Sequence, residues 1–250
     1  MEKFVRKQSC PDDTETTTPS KKLKPEEIEG KEEAVDAEED DFSDPIPWQK
    51  IESEGLDCDY ALLFTKHEAD HLFQKLEKEV VYSTEEAKVQ VFGKVYGIPR
   101  KQATYGDTGL IYTYSGVPRL ACQWTPTLKY IRDSVTKVTG HTFNFVLINY
   151  EDGHDHIGEH RDDERELDPL SPIASVSLGA VRDFVFRHRD ARGKQSSRRI
   201  EPVKLVLAHG SLLLMNSPTN TFWYHSLPVR KKVLLPRINL TFRRIMSTGK

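Results

Sequence analysis

Cysteine is scarce in this chain of 250 residues: there are three, at positions 10, 58 and 122. An odd number so widely spaced supplies neither a zinc knuckle nor a disulfide framework, so reduced thiols in cytosol or nucleus are expected. Long apolar runs are missing as well. No stretch approaches the roughly 20 apolar residues that span a bilayer, and no apolar signal segment opens the chain, which predicts a soluble intracellular protein with no membrane partner. Apolar residues make up 37% of the whole, enough for one sizeable core with a tail attached.

The small net charge of −3 hides an asymmetry. Residues 1–44 carry 7 Lys and Arg against 15 Asp and Glu, whereas the remainder carries 29 against 24. The acidic segment, rich in Thr, Pro, Lys and Glu, cannot bury enough apolar surface to offset its ordering entropy and is expected to be disordered. Within it Pro19 to Pro25 (PSKKLKP) reads either as a short nuclear-import signal or as an ordinary lysine cluster. The second unit is expected over residues 45–250.

Thr65 to Glu68 (TKHE) is a capping box, and Ala69, Leu72, Phe73, Leu76 and Val80 recur behind it at helical spacing, which predicts a helix to about Val81. A second helix is predicted from Thr125 and Pro126, with Leu128, Ile131, Val135 and Val138 on one stripe and a stop at Gly140. Val89 to Gly93 (VQVFG) reads as a hairpin tip. After Gly140 the pattern is of short strands: 142–150, 173–178, 183–187, 200–207, 211–215, 225–228 and 237–243. Helices followed by antiparallel strands that close on themselves predict an α+β protein, a double-stranded β-helix (jelly-roll) core with N-terminal helices packed on it.

His160 and Asp162 stand in an HRD triplet, and His225 lies far down the chain in WYHS. Two imidazoles and one carboxylate on one face of a ferrous ion leave cis positions open, the ligand set of the non-haem iron oxygenases. Taken singly, His160 reads equally as a loop histidine among charges and His225 as a core histidine beside Trp223 and Tyr224. A zinc site on His154, His156 and His160 is a rival reading of the same region. In Arg237 to Arg243 (RINLTFR) a period of two puts Arg237, Asn239, Thr241 and Arg243 on one face. If that face lines a pocket, its two guanidiniums need anions to offset their desolvation, which a dicarboxylic 2-oxo acid supplies with two-pronged pairs. Otherwise it is a wet outer face. Basic residues cluster in 182–199, in Arg230, Lys231 and Lys232, and in Arg100 and Lys101, which suggests a phosphate backbone as partner. Phe92 at the hairpin tip suits a wedge into a base stack or plain core burial, and Tyr105, Tyr112 and Tyr114 suit stacking on an extruded base or strand packing.

Longer runs are more specific: Arg100 to Asp107 (RKQATYGD), Phe143 to Asn149 (FNFVLIN), Asp155 to Glu166 (DHIGEHRDDERE) and Asn239 to Phe242 (NLTF). With these the chain from about Trp48 onwards resembles the AlkB family of iron and 2-oxoglutarate-dependent dioxygenases. The resemblance implies Fe(II), with 2-oxoglutarate and O2 as co-substrates, and oxidative removal of methyl groups from 1-methyladenine and 3-methylcytosine in DNA. It also implies an iron triad of His160, Asp162 and His225, which are the catalytic residues. Arg237 is implied as the partner of the co-substrate's distal carboxylate, with Arg243, Asn239, Asn149 and Tyr150 around it. Phe92 with Gly93 and Lys94 corresponds to an intercalating finger, Tyr112, Tyr114, Asp163 and Glu164 to lesion-pocket positions, and Arg100, Arg187, Gly193, Lys194, Arg230, Lys231 and Lys232 to DNA-contacting loops. The expected partner is alkylated, mainly double-stranded DNA reached by base flipping, the expected state a nuclear monomer. The same chemistry on RNA and a non-catalytic nucleic-acid-binding module are the alternatives. The family pattern at the co-substrate seat is Asn-x-Tyr, yet Asn149 and Tyr150 are adjacent, so alternation predicts that Asn149 keeps its place while Tyr150 loses or weakens its contact. Lys3 to Lys7 (KFVRK) resembles a replication-clamp-binding motif, with Arg6 at an aliphatic position.

Overall fold

The computed structural model describes residues 46–82, 88–91, 94–97, 100–114, 117–152, 154–193, 196 and 198–246. The acidic segment 1–44, with the import and clamp motifs, lies outside the described residues. In chain order the elements are β1 (Gln49–Ser53), β2 (Leu56–Leu62), α1 (Lys66–Glu79), β3 (Lys88–Val91), β4 (Lys94–Gly97), β5 (Lys101–Gly106), β6 (Ile111–Tyr114), β7 (Val117–Leu120) and β8 (Cys122–Gln123). There follow α2 (Pro126–Thr139), β9 (Phe145–Glu151), β10 (Ile157–His160), β11 (Ile173–Gly179), β12 (Arg182–His188), β13 (Val203–Leu207), β14 (Ser211–Met215), α3 (Thr219–Phe222), β15 (Trp223–Leu227) and β16 (Arg237–Arg243).

Both long helices begin where their caps dictate, and α2 ends so as well. Thr65 accepts from the Glu68 N–H while Glu68 returns a carboxylate oxygen to the Thr65 N–H at 2.7 Å, closing the capping box. Thr125 caps α2 with Pro126 at its first position, and Gly140 ends it in the left-handed region at φ 72°. The expectation that helices precede strands is corrected, because β1 to β8 all lie before α2. Short strands with mixed faces carry weak local signals, and it is pairing into the sheet that holds them.

Two sheets form the body. The larger runs β1, β2, β14, β11, β16, β9, β5, β8 and the smaller β10, β15, β12, β13. Pairing is antiparallel throughout except between β5 and β8. On the large sheet, alternate residues Ala174, Val176 and Leu178 (β11), Ile238, Leu240 and Phe242 (β16), and Val146 and Ile148 (β9) pack outward against Leu72, Leu76, Leu128 and Ile131 of α1 and α2. The inner face meets the small sheet in a second core of Leu213, Met215, Phe184, Phe186, Trp223 and Leu227. Where β11, β16, β9 and β5 lie side by side, that inner face turns polar: Ser175, Ser177, Arg237, Asn239, Thr241, Arg243, Asn149, Glu151, Gln102 and Thr104 are all buried. Burying so many polar groups costs free energy unless they pair with one another or with a guest. Cys58 is a free thiol buried in the second core. Cys122, on β8, is buried in the core that meets α1 and α2.

Gly179 closes β11 at φ 90°, and a Cβ there would stand 2.5 Å from the Pro236 carbonyl oxygen and 2.8 Å from the Phe73 ring. Its N–H donates to His209 Nδ1 at 2.7 Å. Gly179→Ala is therefore expected to lower unfolding free energy by about 2–3 kcal/mol, through left-handed backbone strain and displacement of α1. Urea unfolding checks this; a loss below about 0.5 kcal/mol contradicts it.

Candidate active site

β10 and β15 pair so that His160 stands opposite His225, bringing the two imidazoles within 4.3 Å, centroid to centroid. Asp162 follows two residues after β10, and one donor atom from each of the three lies within 4.8 Å of the others. Donors bound at about 2.1 Å on one face of an ion stand about 3.0 Å apart, so the set closes on an ion by drawing its donors together by up to about 1.8 Å. Among the described residues this is the one such group of His, Cys, Asp or Glu. The zinc rival is not assembled: His154 and His156 are exposed and outside it.

Each donor is held in its metal-binding form. His160 Nδ1 lies 2.9 Å from the Gly158 carbonyl oxygen, an acceptor, which places the proton on Nδ1 and leaves the Nε2 lone pair free. Burial, reinforced by His160, pushes the His225 imidazolium down to about 3 against the opposing pull of Asp162, so the ring is neutral. Phe184 stacks on that ring at 5.3 Å and Phe186 meets it edge-on at 6.3 Å, which fixes its plane. Burial alone would raise Asp162, but Arg243, then His225 and His160, hold its carboxyl well below the usual carboxylate range. Arg243 Nη2 donates to Asp162 Oδ1 at 2.9 Å. Burial would lower Arg243, yet Asp162, Tyr112 and Glu164 keep it above its ordinary value, so both partners' shifts favour the ionised pair. A cavity of about 230 Å³ opens beside Asp162 and Arg243, with Asp163, Glu164, Asn216 and Asn220 on its wall.

The other end of β16 carries a second charge pair. Arg237 Nη1 donates to Glu151 Oε2 at 2.9 Å and Nη2 to Ser177 Oγ at 2.9 Å. Arg182, on the inner face of β12, stands 3.8 Å from the same Glu151 oxygen. Between the two pairs, Asn239 donates to Ser175 Oγ and the Val176 carbonyl, while Asn149 Oδ1 accepts from Gln102 at 2.7 Å and Arg100 at 3.0 Å. The polar face of β16 thus looks inward, and the anions that offset its guanidiniums come from the chain itself.

A family model described as the 2OG-Fe(II) oxygenase superfamily matches residues 60–243, an interval that contains the triad, both arginines and the whole of the small sheet. The chain belongs to that superfamily. Fe(II), 2-oxoglutarate and O2 are accordingly its metal and co-substrates. It is 68% identical over 207 residues to the bovine protein named "DNA oxidative demethylase ALKBH2", covering 82% of this chain and 74% of the relative. The human protein of the same name is 68% identical over 205 residues, covering 81% and 78%. A solved structure titled "The structure of OsALKBH1" superposes with a TM-score of 0.53 at 14% identity, over 79% of this chain and all of the other, and shares the fold.

The residues present suit this oxygenase chemistry. Besides the triad, buried Arg237 Nε, Arg243 Nε and Gln102 Oε1 have no hydrogen-bond partner, a costly arrangement that a polar guest in the seat would relieve. Tyr150 is not brought to that seat. β9 and β16 run in one-to-one register from Phe145 opposite Arg243 to Glu151 opposite Arg237, so no bulge turns Tyr150 inward. It faces α1, donating to Glu77 at 3.3 Å and meeting the Tyr82 ring edge-on at 5.7 Å.

Two basic residues read as surface contacts are interior: Arg100 binds Asn149 and the His156 carbonyl, and Arg182 binds the Asp152, Asp155 and Pro228 carbonyls. Tyr112 is fully buried, with Phe145 at 4.9 Å and the Arg243 guanidinium 5.5 Å over its ring, so it presents no open stacking face. Tyr105 lies on the helix side and accepts from the Val81 N–H. Asp163 and Glu164 do border the cavity. Burial and the neighbouring Asp162 raise Glu164 above its ordinary value. Arg187 pairs with Glu159 at 2.7 Å, as does Arg192, and Arg230 pairs with Asp183 at 3.3 Å. Lys231, Lys232 and Gly193 are exposed. Phe92, Gly93 and Lys194 lie outside the described residues, and of Lys94 and Tyr114 only the backbone is described. Sequence reasoning missed Glu151, Ser175, Ser177 and Gln102; the available signal was polar residues at period two inside otherwise apolar strands.

Proposed function

We propose that the chain is a DNA repair dioxygenase that removes methyl groups from 1-methyladenine and 3-methylcytosine, mainly in double-stranded DNA, releasing formaldehyde, succinate and CO2. The observation that carries this reading is the convergence of His160, Asp162 and His225 beside an acidic cavity. Extensive identity to proteins named DNA oxidative demethylase supports it. In this reading the triad holds the iron, while Arg237, Arg243, Asn149 and Asn239 hold 2-oxoglutarate. Bound together, these two use O2 to hydroxylate the N-methyl carbon and convert the co-substrate to succinate and CO2. Arg243 has two tasks: it keeps Asp162 ionised and gives the seat a positive wall. The methylated bases are cations whose methyl blocks the pairing edge, so they leave the stack at lower cost than sound bases. Asp163 and Glu164 give the cavity the matching sign. Exposed Lys231 and Lys232, with Arg187 and Arg192 at the Glu159 anchor, neutralise phosphates, and Phe92 fills the gap left by the flipped base. We read residues 45–250 as the catalytic unit, residues 1–44 as a tail carrying the import and clamp motifs, and the protein as a nuclear monomer.

The test is a duplex oligonucleotide bearing one 1-methyladenine, incubated with Fe(II) and 2-oxoglutarate together and with each omitted. Mass spectrometry is expected to show loss of one methylene equivalent only when both are present. A fully methylated product alongside demethylation of the matching RNA strand would reassign the substrate to RNA. No methyl loss from either strand would overturn the reading.

A further inference from the structure

We propose that Glu151 is a built-in competitor for the co-substrate's distal carboxylate: it holds Arg237 until displaced towards Arg182, and so weakens the chain's grip on dicarboxylic 2-oxo acids. The inference rests on the reading of Arg237 as the seat of that carboxylate.

The position comes first. On β9 the side chain that shares a face with Asn149 is two residues on, and that residue is Glu151. The Asn-x-Tyr pattern of the AlkB resemblance would put a tyrosine there. In this chain the tyrosine has slipped into the middle place and faces α1. A neutral hydroxyl position on the seat is thereby held by an acid.

The surroundings come next. Glu151 is wholly buried, and its Oε2 accepts from Arg237 at 2.9 Å, the shortest ion pair either group makes. Its Oε1 has no hydrogen-bond partner, nor do Arg237 Nε and Arg182 Nε, so the cluster is under-satisfied on three atoms. A carboxylate arriving at Arg237 meets a second negative charge on the same guanidinium, where like charges in a buried site repel strongly. Arg182, 3.8 Å away on the opposite sheet, is the cation towards which Glu151 can turn when Arg237 changes partner. A 2-oxo acid without a distal carboxylate makes no such demand.

The experiment is anaerobic calorimetry on the Fe(II)-loaded full chain, with 2-oxoglutarate and with 2-oxopentanoate, which lacks the distal carboxylate. Wild type, Glu151→Gln, Glu151→Tyr and Arg237→Met are compared, with thermal unfolding to confirm that each is folded. Both Glu151 variants are expected to bind 2-oxoglutarate about tenfold tighter than wild type or more, with 2-oxopentanoate unchanged within about twofold. Unchanged or weaker 2-oxoglutarate binding in both overturns the competitor role. Arg237→Met separates the two claims. If it abolishes discrimination between the acids while the Glu151 variants do nothing, the seat stands and the competitor falls. If it leaves discrimination intact, the seat reading itself fails. Should the Glu151 variants not fold, wild type alone decides. The proposal expects less than about a tenfold preference for 2-oxoglutarate over 2-oxopentanoate, and a preference above about a hundredfold overturns it.

Discussion

Asp162→Asn is expected to strip the protein of ferrous iron and lower turnover at least about a thousandfold. Loss of a mere supporting partner of a ligand costs about 10- to 100-fold, and Asp162 is placed as the ligand itself. Its geometry explains the size of the effect. The carboxylate is one of three converging donors, and it is the one that brings negative charge, because an imidazole ligates through a lone pair, as His225 does when neutral and as His160 does with its Nδ1–H turned to the Gly158 carbonyl. An amide of the same shape can still accept from Arg243, which keeps part of that contact, while the charge that balances the ion is gone. Equilibrium dialysis against Fe(II) under anaerobic conditions, beside the oligonucleotide assay, measures both consequences. A variant that retains iron and more than about a tenth of the rate would show that Asp162 is not a ligand.

Arg243→Met is expected to destabilise the metal-free protein by about 3–5 kcal/mol, the range seen when one partner of a buried pair is removed and the other is left as an uncompensated charge. Asp162 and Arg243 are both buried, and their 2.9 Å hydrogen bond is the direct contact between them. Two secondary results distinguish this cause from simple loss of packing. Saturating Fe(II) is expected to reduce the destabilisation, since the cation replaces the guanidinium as Asp162's counter-charge. The double variant Asp162→Asn with Arg243→Met is expected to recover more than half of the lost stability, a coupling that additive packing losses do not give. Denaturant titrations with chelator and with iron provide the numbers. A loss under about 1 kcal/mol for Arg243→Met would mean that the pair contributes little net.

The legible parts of this molecule were those written in local pattern. Thr65, Glu68, Thr125, Pro126 and Gly140 mark helix ends through hydrogen bonds and backbone angles that involve only neighbours. The alternation in β16 marks Arg237, Asn239, Thr241 and Arg243 as one face, and the same rule put Tyr150 opposite Asn149. The early strands were less legible. β1, β2 and β5 are short and mixed in character, and they owe their form to β14 and β9, partners that lie far along the chain.

For the chemistry, sequence determined the donor types: two imidazoles, a carboxylate and two arginines on an alternating strand. It could not say whether that strand looked inward or towards solvent, nor which anions answered the arginines. The closure of two sheets decided both, setting Asp162 against Arg243 and Glu151 between Arg237 and Arg182. The same closure took Arg100 and Arg182, ordinary basic residues by composition, into the interior. The physical reason is range. Caps and alternation act between neighbours, whereas the partner of a buried charge is fixed by strand register and sheet packing across 81 residues for Asp162 with Arg243 and 86 for Glu151 with Arg237.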